Sequence, residues 1–203
     1  MKIICIGRNY RQHAQELNNE IPIEPIFFFK PDTALLRNNE PFYLPEFSEE
    51  IHYEVELVYI IKKVGKYIQK KFAHRYYDYV GLGIDFTARD IQQKHIKEGL
   101  PWEKAKAFDH SAVICKEFIE KDKLDLNNID FRLEINSKVV QKANSKDMIF
   151  DIDSIIEYVS KYSTLKIGDL FYTGTPAGVG KVNIGDKLVG FINDKEMFSF
   201  EVM

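Results

Sequence analysis

Between Ile51 and Ile61 the chain reads IHYEVELVYII, with a bulky apolar or aromatic residue at every second position. That period of two predicts a β-strand with two unlike faces. Ile51, Tyr53, Val55, Leu57 and Tyr59 make one face. The other begins with His52, Glu54 and Glu56 and turns apolar at Val58 and Ile60. Further apolar runs predict strands at Lys2–Ile6, Ile26–Phe29, Val80–Ile84, Ala112–Cys115, Phe131–Ile135 and Leu170–Tyr172. Asn136-Ser137-Lys138 predicts a hairpin turn into Val139–Gln141, and Val182–Val202 predicts two terminal strands separated by Asn193-Asp194.

Helical spacing appears in three places. Met148–Tyr162 carries apolar residues at 149, 152, 155, 156 and 159, an amphipathic stripe. Arg11–Leu17 is good helix material without a strong apolar face, and Phe86–Gln93 opens another helix with Thr87 as a plausible N-cap. Short strands, few helices and no repeat or linker predict an α+β, mostly β architecture in one domain spanning residues 1–203.

Composition narrows the function. A chain of 203 residues holds one substantial core, and 15 Phe with 11 Tyr favour sheet over a helix bundle. A net charge of −3 argues against a general nucleic-acid surface. The cluster of Lys62, Lys63, Lys66, Lys70 and Lys71 reads as a solvated turn and surface helix. No apolar run approaches the ~20 residues of a membrane span. Arg8 and Asn9 cut off the short N-terminal apolar run, unlike a signal peptide. Cys5 and Cys115 lie in apolar surroundings without CxxC spacing, as buried free thiols of a cytoplasmic protein.

Several residues are candidates for chemistry. Glu54 and Glu56 stand two apart on a strand, about 7 Å from each other. They suit either a wet strand face or a pair closing on one cation. Asp85 ends an apolar, Gly-spaced run, an expensive place for an acid unless it is paired or bound to metal. His13 and Glu16 are helix neighbours, as in many incidental surface pairs. Lys30 is either a strand-end charge or a binding group, Lys106 between two alanines reads as solvent-facing, and Arg89 and Asp90 suit either salt-bridged structure or a site. Thr173–Gly180 is Gly-rich but lacks the GK[ST] ending and following helix of a phosphate cradle.

Six segments, taken in order, resemble the fumarylacetoacetate hydrolase family. GRNYRQHAQEL is similar to its GxNYxxHxxE segment, HYEVELV to its HxExEL strand, and GIDFTARDIQ to its NDxTARDxQ. PWEKAKAFDHS is similar to WxxAKxFDxxxP, QKANSKDMIF to RQxxxTxxMIF, and YTGTPAGVG to TGTPxGVG. Together they cover most of the chain. Val140 stands where many relatives have Arg, Ser145 replaces their Thr, and Cys115 occupies a segment where Pro and Gly are common.

The resemblance implies a twisted β-roll, usually homodimeric, with Mg²⁺ or Mn²⁺ held by Glu54, Glu56 and Asp85. An all-carboxylate donor set suits those hard cations rather than zinc. It further implies that His13 and Glu16 form a water-activating dyad on a lid, that Lys106 stabilises charge on a substrate oxygen, and that Arg89, Gln92 and Thr175 approach the substrate. The expected substrate is a small 2-oxo acid. The expected reaction is hydrolysis of a C–C bond in a 2,4-dioxo acid of the acylpyruvate type, releasing pyruvate as its enolate. The same centre serves oxaloacetate decarboxylation, keto–enol tautomerisation, or 2-hydroxyhepta-2,4-diene-1,7-dioate isomerisation. A reading of another class is a metal-stabilised binding domain without turnover.

Overall fold

The computed structural model describes residues 1–16 and 20–203. The expected extension of the first helix to Leu17 lies outside the described residues. The largest sheet runs β2 (Ile26–Lys30), β1 (Ile3–Gly7), β12 (Leu170–Tyr172), β5 (Val55–Ile61), β6 (Tyr77–Asp85), β8 (Ala112–Ile114) and β3 (Leu35–Leu36). A short β9 (Ile119–Glu120) pairs with β6. A second sheet has the order β11 (Lys138–Asn144), β10 (Asp130–Ile135), β14 (Lys187–Ile192), β15 (Lys195–Glu201). A third joins β13 (Gly180–Lys181), β4 (Ile51–Tyr53) and β7 (Thr87–Ala88). The helices are α1 (Arg11–Glu16), α2 (Lys70–Ala73), α3 (Arg89–Glu98), α4 (Glu103–Lys106) and α5 (Ile152–Tyr162). The fold is α+β and mostly β, as the alternation predicts.

The alternation decides which residues meet. Odd positions of β5 (Val55, Leu57, Tyr59, Ile61) and even positions of β6 (Val80, Leu82, Ile84) enter the main hydrophobic core. The opposite face of the same sheet carries a smaller apolar cluster including Cys5, Val58 and Tyr172. Glu54, Glu56 and Asp85 share the parity of that second face. Both cysteines are buried and free. Burial pushes the thiol of Cys115 up to about 11, and burial followed by the charge of Asp85 pushes Cys5 up as well.

Local chemistry accounts for the boundaries. The α5 stripe buries Ile152, Ile155, Ile156 and Val159, and the Asp151 side chain caps the helix by accepting from Ser154 N at 2.7 Å. Asn136 and Ser137 both adopt positive φ, 51° and 66°, the signature of a primed two-residue turn between β10 and β11. The lysine cluster is solvated as expected, with Lys62 paired to Asp78 at the surface. Among the described residues no helix is long and apolar enough to cross a membrane.

Two local expectations need correction. Ile51–Ile61 is not one strand: the chain leaves the three-stranded sheet after Tyr53 and joins the large sheet at Val55. Here Val55 N donates to the side chain of Gln141 at 2.9 Å. Thr87 does not cap α3, because it lies in β7, and Arg89 N already donates to Glu50 O at 2.8 Å.

Candidate metal centre and active-site cavity

The antiparallel pairing of β5 with β6 builds the acidic centre. Val55 faces Ile84 and Glu56 faces Gly83 in the register, so the next position along sets Glu54 against Asp85. Asp85 N donates to Glu54 O at 2.8 Å and fixes that end of the ladder. One carboxylate oxygen from each of Glu54, Glu56 and Asp85 lies within 4.8 Å of the others, with the residues only 5%, 1% and 1% exposed. Gly83 leaves the room for this. A Cβ there would press on the Val113 carbonyl and come 2.7 Å from the ring of Tyr172.

Three buried cations surround the carboxylates. Lys106, at the end of α4, bridges Glu54 Oε2 at 2.7 Å and Asp85 Oδ2 at 2.9 Å. Arg89, the first residue of α3, places Nη2 2.5 Å from Glu54 Oε1 and Nη1 2.5 Å from Gln92 Oε1. Lys30, at the end of β2, sits 2.6 Å from Asp85 Oδ1. Its ammonium donates to Ser111 O, Ser111 Oγ and Phe86 O, so the contact with Asp85 is an ion pair without hydrogen-bond geometry, and Oδ1 has no donor directed at it.

Burial alone would raise both Glu54 and Glu56. Lys106, Arg89 and His13 overcome it at Glu54 and hold that carboxyl well below its ordinary value. Glu56 has weaker help: burial, then the charges of Asp85 and Glu54, push it well above the carboxylate range despite the bond from Gly174 N at 2.7 Å. Burial also works against the ammonium of Lys106, but Asp85 and Glu54 outweigh it and raise that pKa. An oxygen without a donor and a glutamate whose ionised form lacks a counter-charge, in an all-oxygen donor set, fit a hard divalent cation.

The centre opens into a cavity of about 300 Å³ whose lining includes His13, Arg89, Gln92, Lys106 and Thr175. The sequence reading thus placed nine residues, and the fold gathers them into one neighbourhood. His13 is 5% exposed, with Nδ1 3.2 Å from Glu16 Oε2. Glu16 Oε1 accepts from Gly178 N at 3.0 Å, which ties the dyad to the Thr173–Gly180 loop. Thr175 Oγ1 accepts from Gln141 Nε2 at 2.9 Å.

Lys106 is not solvent-facing, and Lys30 is more than a strand-end charge. Each is buried by ion pairs with acids far away in sequence, which local composition does not encode. Sequence reasoning also passed over Gln141, which joins Val55 N to Thr175 Oγ1 and Pro176 O. Its signals were a polar residue in a strand and its match to the Gln of the RQxxxTxxMIF segment. Gly174 was read only as part of a Gly-rich loop. Its φ of 98° and the nearness of Asn9 Cβ, 2.7 Å from where its own Cβ would lie, require glycine.

The chain belongs to the fumarylacetoacetate hydrolase family: the profile described as fumarylacetoacetate (FAA) hydrolase C-terminal matches residues 2–202. It is 45% identical over 186 residues to the mitochondrial oxaloacetate decarboxylase of Dictyostelium discoideum, covering 91% of this chain and 85% of that protein. It is 39% identical over 201 residues to the mitochondrial oxaloacetate tautomerase of Caenorhabditis elegans, covering 99% and 94%. The fumarylpyruvate hydrolase of Pseudomonas aeruginosa, solved with Mn²⁺ and pyruvate, superposes with a TM-score of 0.94 at 32% identity, covering 100% of this chain and 89% of that one.

Proposed function

We propose that this protein is a divalent-cation-dependent enzyme of 2-oxo acids whose principal substrate is oxaloacetate, interconverted between its keto and enol forms or decarboxylated to pyruvate. The observation carrying this reading is the Lys106 ammonium set between Glu54 and Asp85 on the wall of the cavity that His13 also lines. The names of the two relatives above favour oxaloacetate over the acylpyruvate expected from the motifs.

Glu54, Glu56 and Asp85 would hold Mg²⁺ or Mn²⁺, which supplies Lewis acidity toward the 2-oxo group and the neighbouring carboxylate. Lys106 contributes a positive charge, kept as the ammonium by its acidic neighbours, where negative charge develops on the 2-oxo oxygen. His13 exchanges the proton at C3, with Glu16 orienting its ring through Nδ1. In tautomerisation, a proton leaves C3 and another is added to the 2-oxo oxygen. In decarboxylation the bond from C3 to the distal carboxylate breaks, carbon dioxide leaves, and C3 takes up a proton. Arg89 is committed to Glu54 and Gln92, so its part is to position the acid and the first turn of α3.

The Glu16–Gly178 bond favours a second reading. A dyad fastened to the Thr173–Gly180 loop is suited to activating water for hydrolysis of a 2,4-dioxo acid. The two readings separate when oxaloacetate turnover, followed both as keto–enol exchange and as pyruvate release, is compared with pyruvate release from acetylpyruvate, all with Mg²⁺. The primary reading requires turnover of oxaloacetate to exceed that of acetylpyruvate. Cleavage of acetylpyruvate alone, abolished by His13→Ala, would replace it with the hydrolase.

A further inference from the structure

Two separate cavities share α1 as a wall, and helical spacing divides its side chains between them. His13 lines the active-site cavity, while Arg11, Gln12 and Gln15 line a second groove of about 630 Å³. The loop of residues 173–180 is divided in the same way: Thr175 lines the cavity, and Pro176 and Ala177 line the groove. The facing wall comes from β11 and the turn Ser145–Asp147 that follows it. Alternation along β11 sends Gln141 inward to Thr175 and leaves Lys142 exposed on the groove.

The helix is tied down on either side of this groove. At its start Tyr10 bridges Met148, and the buried Asn9 exchanges hydrogen bonds with Phe150 at 3.0 Å and 2.8 Å. At its end Glu16 accepts from Gly178 N at 3.0 Å. Between these ties, the side chains of Arg11, Gln12 and Gln15 make no hydrogen bond or ion pair among the described residues.

Charge in the groove is unbalanced. Arg11 stands on the α1 wall and Lys142 and Lys146 on the opposite one, all exposed. Among the described residues none of the three has an ion-pair partner, and Asp147 is the single acid of the lining. Three cations against one acid leave an excess of two positive charges, in a chain whose net charge is −3. Like charges on facing walls repel, which works against the seating of α1. An anion shared between the walls turns that repulsion into attraction.

The arrangement defines the ligand. Cations on two opposite walls call for an anionic group at each end. Phosphate suits both partner types, since a guanidinium pairs with two of its oxygens and an ammonium binds it as a point charge. The amides of Gln12 and Gln15 offer donors and acceptors to hydroxyls between the two ends. Arg11 falls at a position that the GxNYxxHxxE motif leaves open, so this groove is a property of the chain and not of the family's catalytic machinery.

We propose that the groove binds a small sugar bisphosphate that bridges Arg11 to Lys142 and Lys146, and thereby holds α1, and His13 with it, against the body of the protein. The consequence for turnover rests on the oxaloacetate reading; the binding does not.

The test titrates fructose 1,6-bisphosphate into the Mg²⁺-loaded full chain by calorimetry at about 0.1 M salt, beside glucose 6-phosphate and inorganic phosphate, which have one anionic end. Wild type is expected to bind the bisphosphate about tenfold more tightly than either, and Arg11→Gln and Lys146→Gln each to weaken it by about tenfold. Lys97→Gln, on the active-site cavity, is expected to leave it unchanged. Hydrogen exchange at the amides of residues 12–16 is expected to slow with the bisphosphate in wild type and not in Arg11→Gln. Equal affinity for the three probes, binding that survives in both groove variants, or exchange in α1 that ignores the ligand overturns the proposal. Binding lost in Lys97→Gln but kept in Arg11→Gln places the ligand in the active-site cavity and likewise overturns it. Parallel turnover of oxaloacetate keeps the two claims apart. The expected binding and exchange, in a protein that does not turn over oxaloacetate, support the groove and reject the proposed substrate. Turnover without bisphosphate binding rejects the groove alone.

Discussion

Lys30 and Asp85 lie 55 residues apart in the sequence yet form an ion pair at 2.6 Å with side chains 0% and 2% exposed. Neither charge reaches water, so each depends on the other. Lys30→Met keeps most of the volume and leaves Asp85 with Lys106 as its remaining cation. Removing one partner of a buried pair costs about 3–5 kcal/mol. Urea unfolding of the metal-free protein should show a loss of that size, and a loss under about 1 kcal/mol would mean that the pair is not a structural element.

Gly83 faces Glu56 across the β5–β6 ladder, where any side chain meets the Val113 carbonyl and Tyr172. A backbone oxygen in the central sheet cannot retreat as a flexible side chain can. Gly83→Ala should cost about 3 kcal/mol or more through overpacking and weaken Mn²⁺ binding by displacing the glutamate opposite. Calorimetry that found wild-type Mn²⁺ affinity in a folded Gly83→Ala protein would contradict the tight register described for the centre.

Glu56 links metal binding to pH. Without metal its raised pKa makes the neutral form the stable one in the folded state. Its contribution to stability is therefore present below the unfolded carboxylate value and is lost as pH rises through the raised folded value. A divalent cation binds the ionised form and restores that stability. The increase in Tm on adding Mn²⁺ should accordingly be larger near about pH 8 than near about pH 5.5. Equal increases, or a larger one at the lower pH, would remove Glu56 from the ligand set.

Gln141 is 1% exposed and connects Val55 N, Thr175 Oγ1 and Pro176 O through one amide. Gln141→Leu leaves a buried N–H without a partner, a penalty of about 1–3 kcal/mol. It also releases the loop that carries Thr175 and anchors Glu16. Stability should fall by that amount and turnover should fall with it. Retention of full turnover would show that the loop is held in place without this amide.

The sequence patterns carried the architecture further than the site. Alternation located the sheet that holds Glu54 and Glu56, because side-chain parity is a local property of a strand. The break at Glu54 was not legible, since it depends on Gln141, 86 residues away from the Val55 amide it accepts. Lys106 looked solvent-facing for the same kind of reason: alanine neighbours describe its helix, while its burial follows from Glu54 at the break between β4 and β5 and Asp85 at the end of β6. The family motifs recovered Asp85, His13, Lys106 and Thr175, which spacing alone did not join. Lys30 belongs to no spacing rule; it became readable only when the sheet and the cavity were in place.

The most direct test of the central claim follows keto–enol exchange of oxaloacetate by ultraviolet absorbance, using protein stripped of metal and then resupplied with Mg²⁺ or Mn²⁺. Exchange should be accelerated only in the resupplied protein. It should fall by about 10²–10⁴ in His13→Gln and be lost in Glu56→Gln, with both variants still folded. Full activity in the stripped protein, or wild-type rates in Glu56→Gln, would contradict the account.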